Sequence, residues 1–117
     1  MTTFSHGEVI LVPFPFTDQT TVKQRPAVVI SSDEYNLYRE DVIIAAITSV
    51  VSIIRLGDYR LRDWEKAGLV KPSVVKAALA TVHKNMVKRK MGVLTQTDLN
   101  GLNQNLIKIL GLEGKKD

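Results

Sequence analysis

Arg25, Thr48 and Ser49 are the residues of this chain whose types and spacing best suit chemistry on a phosphate. Arg25 stands just ahead of one dense apolar run, Ala27–Ile30, and Thr48-Ser49 follow a second, Val42–Ile47. Short runs rich in β-branched residues, bounded by polar ones, predict buried strands. If two such strands pair antiparallel, the start of one lies beside the end of the other. Arg25 then approaches Thr48 and Ser49. A permanent cation with a planar fork of donors, set beside two hydroxyls, is material for a phosphate site.

That inventory suits cleavage of an RNA phosphodiester without a metal. The substrate brings its own nucleophile, the 2′-hydroxyl. The protein has to align it, remove its proton and stabilise charge on the phosphoryl oxygens. Arginine serves the last task and is a poor general base, because it stays protonated. Another group, or the phosphate itself, then takes the proton. Other familiar constellations are missing: no phosphate-cradling glycine loop, no serine elbow, no cysteine nucleophile, no histidine pair at ligand spacing. With no cysteine and two histidines, neither a disulfide framework nor a structural zinc site is expected, and no cofactor is implied. Asp33-Glu34 and Glu40-Asp41 read as solvated acids on a polar connection, not as a metal site.

The elements that must position these residues follow in order. Gly7–Val12 predicts a first strand, ended by Pro13 and Pro15. Phe14 and Phe16 then either close one end of the core or offer a stacking surface to an unpaired base. Thr17–Gln24 is a polar loop longer than a tight hairpin needs, hence a candidate flap. Pro26 opens the second strand. Ser31–Asp41 is a polar connection with room for a helical turn, and residues 42–48 form the next strand. Gly57-Asp58 predicts a turn between strand-like pieces at Ser52–Leu56 and Tyr59–Leu61. A loop around Gly68 leads to a strand over Pro72–His83, then a short helix over Lys84–Met91 with Lys84 and Lys88 on one face. Thr95 and Asp98 have capping-box spacing. Leu99, Leu102, Leu106, Ile109 and Leu110 make an apolar stripe, and Gly111 is the stop of a C-terminal helix. The expectation is a mainly β, α+β domain over residues 1–117. It is a small twisted sheet or partly closed barrel of five to six short strands, one side covered by that helix.

Net charge is +4, and its placement matters more than its size. From Lys66 to Thr97 there is no acid, while Lys66, Lys71, Lys76, Lys84, Lys88, Arg89 and Lys90 all fall there. Such a window is either a solvated basic surface or a patch that draws in nucleic acid or an acidic protein segment. No apolar stretch is long enough to span a bilayer and the first residues lack a signal-peptide pattern, so a cytoplasmic protein without membrane contact is expected. His83, at the end of an apolar strand, reads as structural. His6 carries little weight, and Trp64 reads as partly core.

GEVILVPFPFTD, KQRPAVVIS and DVIIAAITS, taken in order, resemble the MazF or PemK family of toxins from toxin–antitoxin modules. GLVKPSVVKAALATVHKNMVKRKMGVL and the terminal helix resemble the corresponding regions, so the likeness covers nearly the whole chain. The resemblance implies an SH3-like barrel, a homodimer, and sequence-specific cleavage of single-stranded RNA to 2′,3′-cyclic phosphate and 5′-hydroxyl ends. It also implies inhibition by an antitoxin with an acidic C-terminal segment. By position it makes Arg25 and Thr48 catalytic, with Ser49 a neighbouring hydroxyl. Some relatives carry a second arginine followed two residues on by an acid, and Lys76 and Ala78 stand there instead. Lysine keeps the charge without the fork. Relatives with a histidine in the first loop differ, since Thr17–Gln24 has none; Asp18, its one acid, could substitute as a base. Phe16, Asp18, Lys23, Lys76 and Lys84 are the expected RNA contacts. Two other readings stay open: a toxin of the same fold that binds gyrase through its terminal helix, and an SH3-like nucleic-acid-binding module that cuts nothing.

Overall fold

The computed structural model describes residues 3–13 and 23–114. The elements are β1 (Glu8–Pro13), β2 (Gln24–Val29), α1 (Asp33–Tyr38), β3 (Asp41–Thr48), β4 (Tyr59–Arg60), β5 (Val74–His83), β6 (Arg89–Val93) and α2 (Gln96–Ile109). Among the described residues the six strands form one antiparallel sheet in the order β4-β5-β3-β2-β1-β6. The expected mainly β architecture with a C-terminal helix is what the chain adopts.

Alternation along the strands splits the apolar residues between two faces. On one face Val9, Val28, Ala45, Ile47 and Val75 are buried, and Leu102, Leu99 and Leu106 of α2 pack over them. On the other, Ile10, Val12, Ala27, Val29, Val42 and Ile44 form a second cluster capped by Phe4. Both faces of β1, β2 and β3 are therefore core, which is why these strands read as continuous apolar runs. The sheet curls around the first cluster. The turn before Leu69 lies against β6 so closely that a Cβ on Gly92 would fall 2.4 Å from the Ala67 carbonyl oxygen. Gly68, at φ +87°, makes the matching approach to the Met91 carbonyl.

α2 begins as its sequence implies, with Thr95 accepting from the Asp98 N–H. Asp98 does not reach back to complete the box. Fully buried, it accepts from the Tyr59 hydroxyl at 2.9 Å and from the N–H groups of Arg62 and Asp63 at 3.0 and 2.8 Å. That ties the helix to β4 and the turn after it. Burial, then the Asp98 carboxylate, pushes the Tyr59 phenol up to about 12, so it stays a donor. Gly101 looks like a weak point in a helix by propensity. Here a Cβ would fall 2.5 Å from the Tyr59 ring and hydroxyl, so any other residue would push that ring off its bond to Asp98.

Two sequence expectations are corrected. Residues 84–91 are not a helix: Lys84–Met86 make one 3-10 turn, and Arg89–Val93 is a strand. The free edge of β1 pairs with it, the Lys88 N–H already donating to the Leu11 carbonyl at 2.8 Å. This non-local ladder overrides a local helical pattern, and Lys84 and Lys88 do not share a helix face. Ser52–Leu56 is not a strand either. The Arg55 N–H is held by the Asp58 carboxylate at 2.9 Å in a turn through Gly57 (φ +98°). The apolar Ile53, Ile54 and Leu56 stay exposed, with no strand face to bury them.

Candidate active site

The β2–β3 register sets Ala27 opposite Ala46, Val28 opposite Ala45 and Val29 opposite Ile44. Carried two residues outward, it brings Arg25 opposite Thr48. Pro26 falls just past the last paired residue, where its missing N–H costs that ladder nothing. Arg25 and Thr48 are both half-buried and line one cleft of about 450 Å³ together with Lys23 and Ser49. Thr48 Oγ1 accepts the Val50 N–H at 3.1 Å, which fixes the hydroxyl and turns the chain out of the strand.

The cleft holds residues that the sequence did not single out. Thr48 pairs with Val74, so the turn leading into β5 lies beside the end of β3. It brings Lys71 and Ser73 to the same cleft. Ser73 is buried and its hydroxyl donates to the Lys71 carbonyl at 2.8 Å, which braces the Lys-Pro-Ser turn. Among the described residues the cleft lining carries three cations, three hydroxyls and no carboxylate. Its remaining walls are apolar: Pro26, Ile47, Leu69 and Met91 among them. A lysine before a proline at the head of an apolar run was the available clue to Lys71, though it gave no direction in space.

The other expected contacts stand elsewhere or outside the description. Lys76 does not line the cleft. Its ammonium lies 2.7 Å from Asp58 Oδ2, while Asp58 Oδ1 accepts the Ala77 N–H at 3.1 Å. Burial works to raise the Asp58 carboxyl, but Lys76 and the N–H groups of Arg55 and Ala77 outweigh it and hold it below the usual carboxylate range. Asp58 thereby clamps β5 where its register with β3 jumps, between the pairs Ala45–Leu79 and Ile47–Val75. Lys84 sits at the opposite end of the sheet, next to His83, which pairs with Asp41. The eight residues of β3 put that end roughly 20 Å or more from Thr48. The Lys84 ammonium is bound to the Asn36 carbonyl. Phe14, Phe16, Asp18 and loop residues 17–22 lie outside the described residues. His83 caps the 3-10 turn through Nδ1, and Trp64 packs on the main core. His6 bridges the Ile30 carbonyl and the Asn103 side chain, a structural part the sequence did not suggest. Among the described residues no group of three metal-binding side chains forms, and no helix is long and apolar enough to cross a membrane.

A family model described as PemK-like, MazF-like toxin of type II toxin–antitoxin systems matches residues 5–110. A search of curated proteins finds no match. Among solved structures, a MazE–MazF complex from Deinococcus radiodurans superposes with a TM-score of 0.77 at 16% identity, over 97% of this chain and 100% of that one. An endoribonuclease in complex with its cognate antitoxin from a mycobacterial species gives 0.75 at 17% identity, over 98% and 100%. A mycobacterial endoribonuclease gives 0.76 at 18% identity, over 98% of each chain. At these identities the structural likeness establishes a shared fold.

Proposed function

The chain belongs to the PemK-like, MazF-like toxins of type II toxin–antitoxin systems, and from that membership we propose that it is a metal-independent endoribonuclease cutting single-stranded RNA at preferred sequences. One observation carries the reading: Arg25 and Thr48 line one cleft whose described residues are cationic, with Lys23 and Lys71 beside them. A phosphodiester entering it meets the Arg25 guanidinium, the Thr48 and Ser49 hydroxyls and the Lys23 ammonium. The 2′-hydroxyl attacks phosphorus, the bond to the 5′-oxygen breaks, and that oxygen leaves with a proton. The products are a 2′,3′-cyclic phosphate and a 5′-hydroxyl. Arg25 stabilises the charge that builds on the non-bridging oxygens, where a fixed cation acts most strongly in the transition state. Thr48 orients the phosphate by hydrogen bonding. Asp18 is the proposed base.

Phe16 would stack on a base beside the cut. Lys76, held by Asp58, would meet RNA only outside the cleft, and Lys84 has no part in the reaction. The likeness to toxin–antitoxin complexes supports a cognate antitoxin as partner, its acidic C-terminal segment competing for the same cations. A homodimer and a cytoplasmic location complete the proposal. The test is incubation of the purified chain with a long single-stranded RNA in excess chelator, with product ends typed by mass. Discrete cuts bearing cyclic phosphates, lost in Arg25→Ala, are expected. Intact RNA from well-folded protein would overturn the reading.

A further inference from the structure

The phosphate chemistry uses only the polar rim of the cleft and leaves its apolar part unexplained. Ile47 and Leu69 are buried beneath it, and Met91 is half-buried beside them. Val50 and Val70 stand at its mouth, 57% and 83% exposed, one just after β3 and the other just before β5. Two exposed branched side chains flanking an apolar floor gain by being covered. Lys71 shares this wall, its side chain exposed, on a turn braced by Pro72 and by the buried Ser73 hydroxyl. A ligand for the whole cleft therefore has an anion at one end and a flat or compact apolar group at the other, and a volume of about 450 Å³ is in the range of a small-ligand site.

On the ribonuclease reading, and as its refinement, we infer that this apolar part seats one unpaired nucleobase next to the scissile phosphate and that Lys71 determines which base it accepts. The base lies between Val50 and Val70 over Leu69 and Met91. Lys71 offers only donors. It rewards a base edge that presents acceptors, the O6 and N7 of guanine or the O4 of uracil, and it opposes an edge whose exocyclic amino group also donates. The pocket prefers keto bases to amino bases at one position of the cut sequence.

The experiment cuts a randomised single-stranded RNA pool with the wild-type chain, Lys71→Met and Val70→Ser, and sequences the ends. The wild type should enrich guanine or uracil at one position flanking the cut by about tenfold over adenine and cytosine. Lys71→Met should flatten that position alone and leave the other preferences in place. Val70→Ser should weaken binding of short oligonucleotides without changing which base is chosen. An unchanged pattern in Lys71→Met overturns the inference, as does a uniform loss at every position, which marks Lys71 as a general electrostatic contact. Fluorescence titration of the wild type and Lys71→Met with uncleavable 2′-deoxy oligomers differing at one base checks selection independently of cutting. Equal affinity for all four bases sinks the base pocket even where RNA is cleaved. Base selection lost in Lys71→Met supports the pocket even where cleavage fails. Tighter binding of an acidic, apolar peptide than of every oligomer assigns the cleft to a protein segment instead, and overturns the inference.

Discussion

The two ends of β3 carry cavities of equal size, about 450 Å³ each, with different charges around them. At the Thr48 end, Lys23, Arg25 and Lys71 line a cleft with no carboxylate among the described residues. At the Asp41 end, Arg39 pairs with Asp41 at 3.2 Å, His83 faces Glu40 at 3.9 Å and Lys84 is spent on the Asn36 carbonyl. Volume cannot tell these ends apart. At the Asp41 end the fold sets Asp41 beside Arg39 and Glu40 beside His83. A cation beside a carboxylate has a small residual field at a distance, and salt screens what remains. The acid-free window from Lys66 to Thr97 is distributed between both ends and the Asp58 clamp, so its charge is not one basic patch.

The largest loss is expected at Arg25. Arg25→Ala should lower cleavage by about 10²–10³-fold, the usual loss for one preorganised donor to a developing oxyanion. Its melting temperature should stay near the wild-type value. Arg25→Lys should recover only part, since the ammonium keeps the charge without the fork. A mutant that cuts at wild-type rate removes the Thr48 end as the active site. Next comes Thr48→Val, which keeps the shape and deletes the hydroxyl. Loss of one hydrogen bond to a charged phosphate, about 1.5–3 kcal/mol, predicts a roughly 10–100-fold slower single turnover.

At a third place, Asp58, a cation is held by an acid whose side chain is 3% exposed. Asp58→Asn should cost about 2 kcal/mol of stability. Fully buried pairs lose more when broken, and Lys76, 30% exposed, keeps some water. The pH dependence has a definite sign. The folded Asp58 carboxyl titrates below its unfolded value, so the stability it gives is present above about pH 4. It is lost as pH falls through the folded value. Melting temperatures between pH 2 and 6 should converge for wild type and Asp58→Asn at the acid end and separate toward pH 6.

What the sequence made legible follows the same physics. The meeting of Arg25 with Thr48 could be read because both lie at the ends of adjacent apolar runs, and one antiparallel pairing joins them. The Thr95 cap and the Gly111 stop of α2 are local signals and were equally readable. Lys71 and Ser73 reach the cleft only through the β3–β5 ladder, whose register jumps between Ala45 and Ile47, and no local pattern encodes that jump. Strand β6 was hidden for the same reason, since its partner lies some eighty residues earlier. Asp58 read as a turn residue. Its second part, as the clamp on Lys76 and Ala77, depends on where β5 passes.

The smallest expected effect is at Lys84, and it tests the comparison most directly because the sequence had placed this residue on RNA. Lys84→Met removes a donor from a last-turn carbonyl of α1, a loss of about 1 kcal/mol in stability. Cleavage should change by less than about twofold, because a charge at the far end of β3 lies beyond the roughly 8–10 Å Debye length from the scissile phosphate. Salt dependence separates the cases further. Each phosphate contact on a single strand contributes about −0.7 to the slope of log binding constant against log salt. Lys23→Met, in the cleft, should make the slope shallower by about that amount, while Lys84→Met should leave it unchanged. Equal shifts in both mutants would mean that RNA spans the whole length of β3. The Asp41 end would then be a second contact surface for the strand.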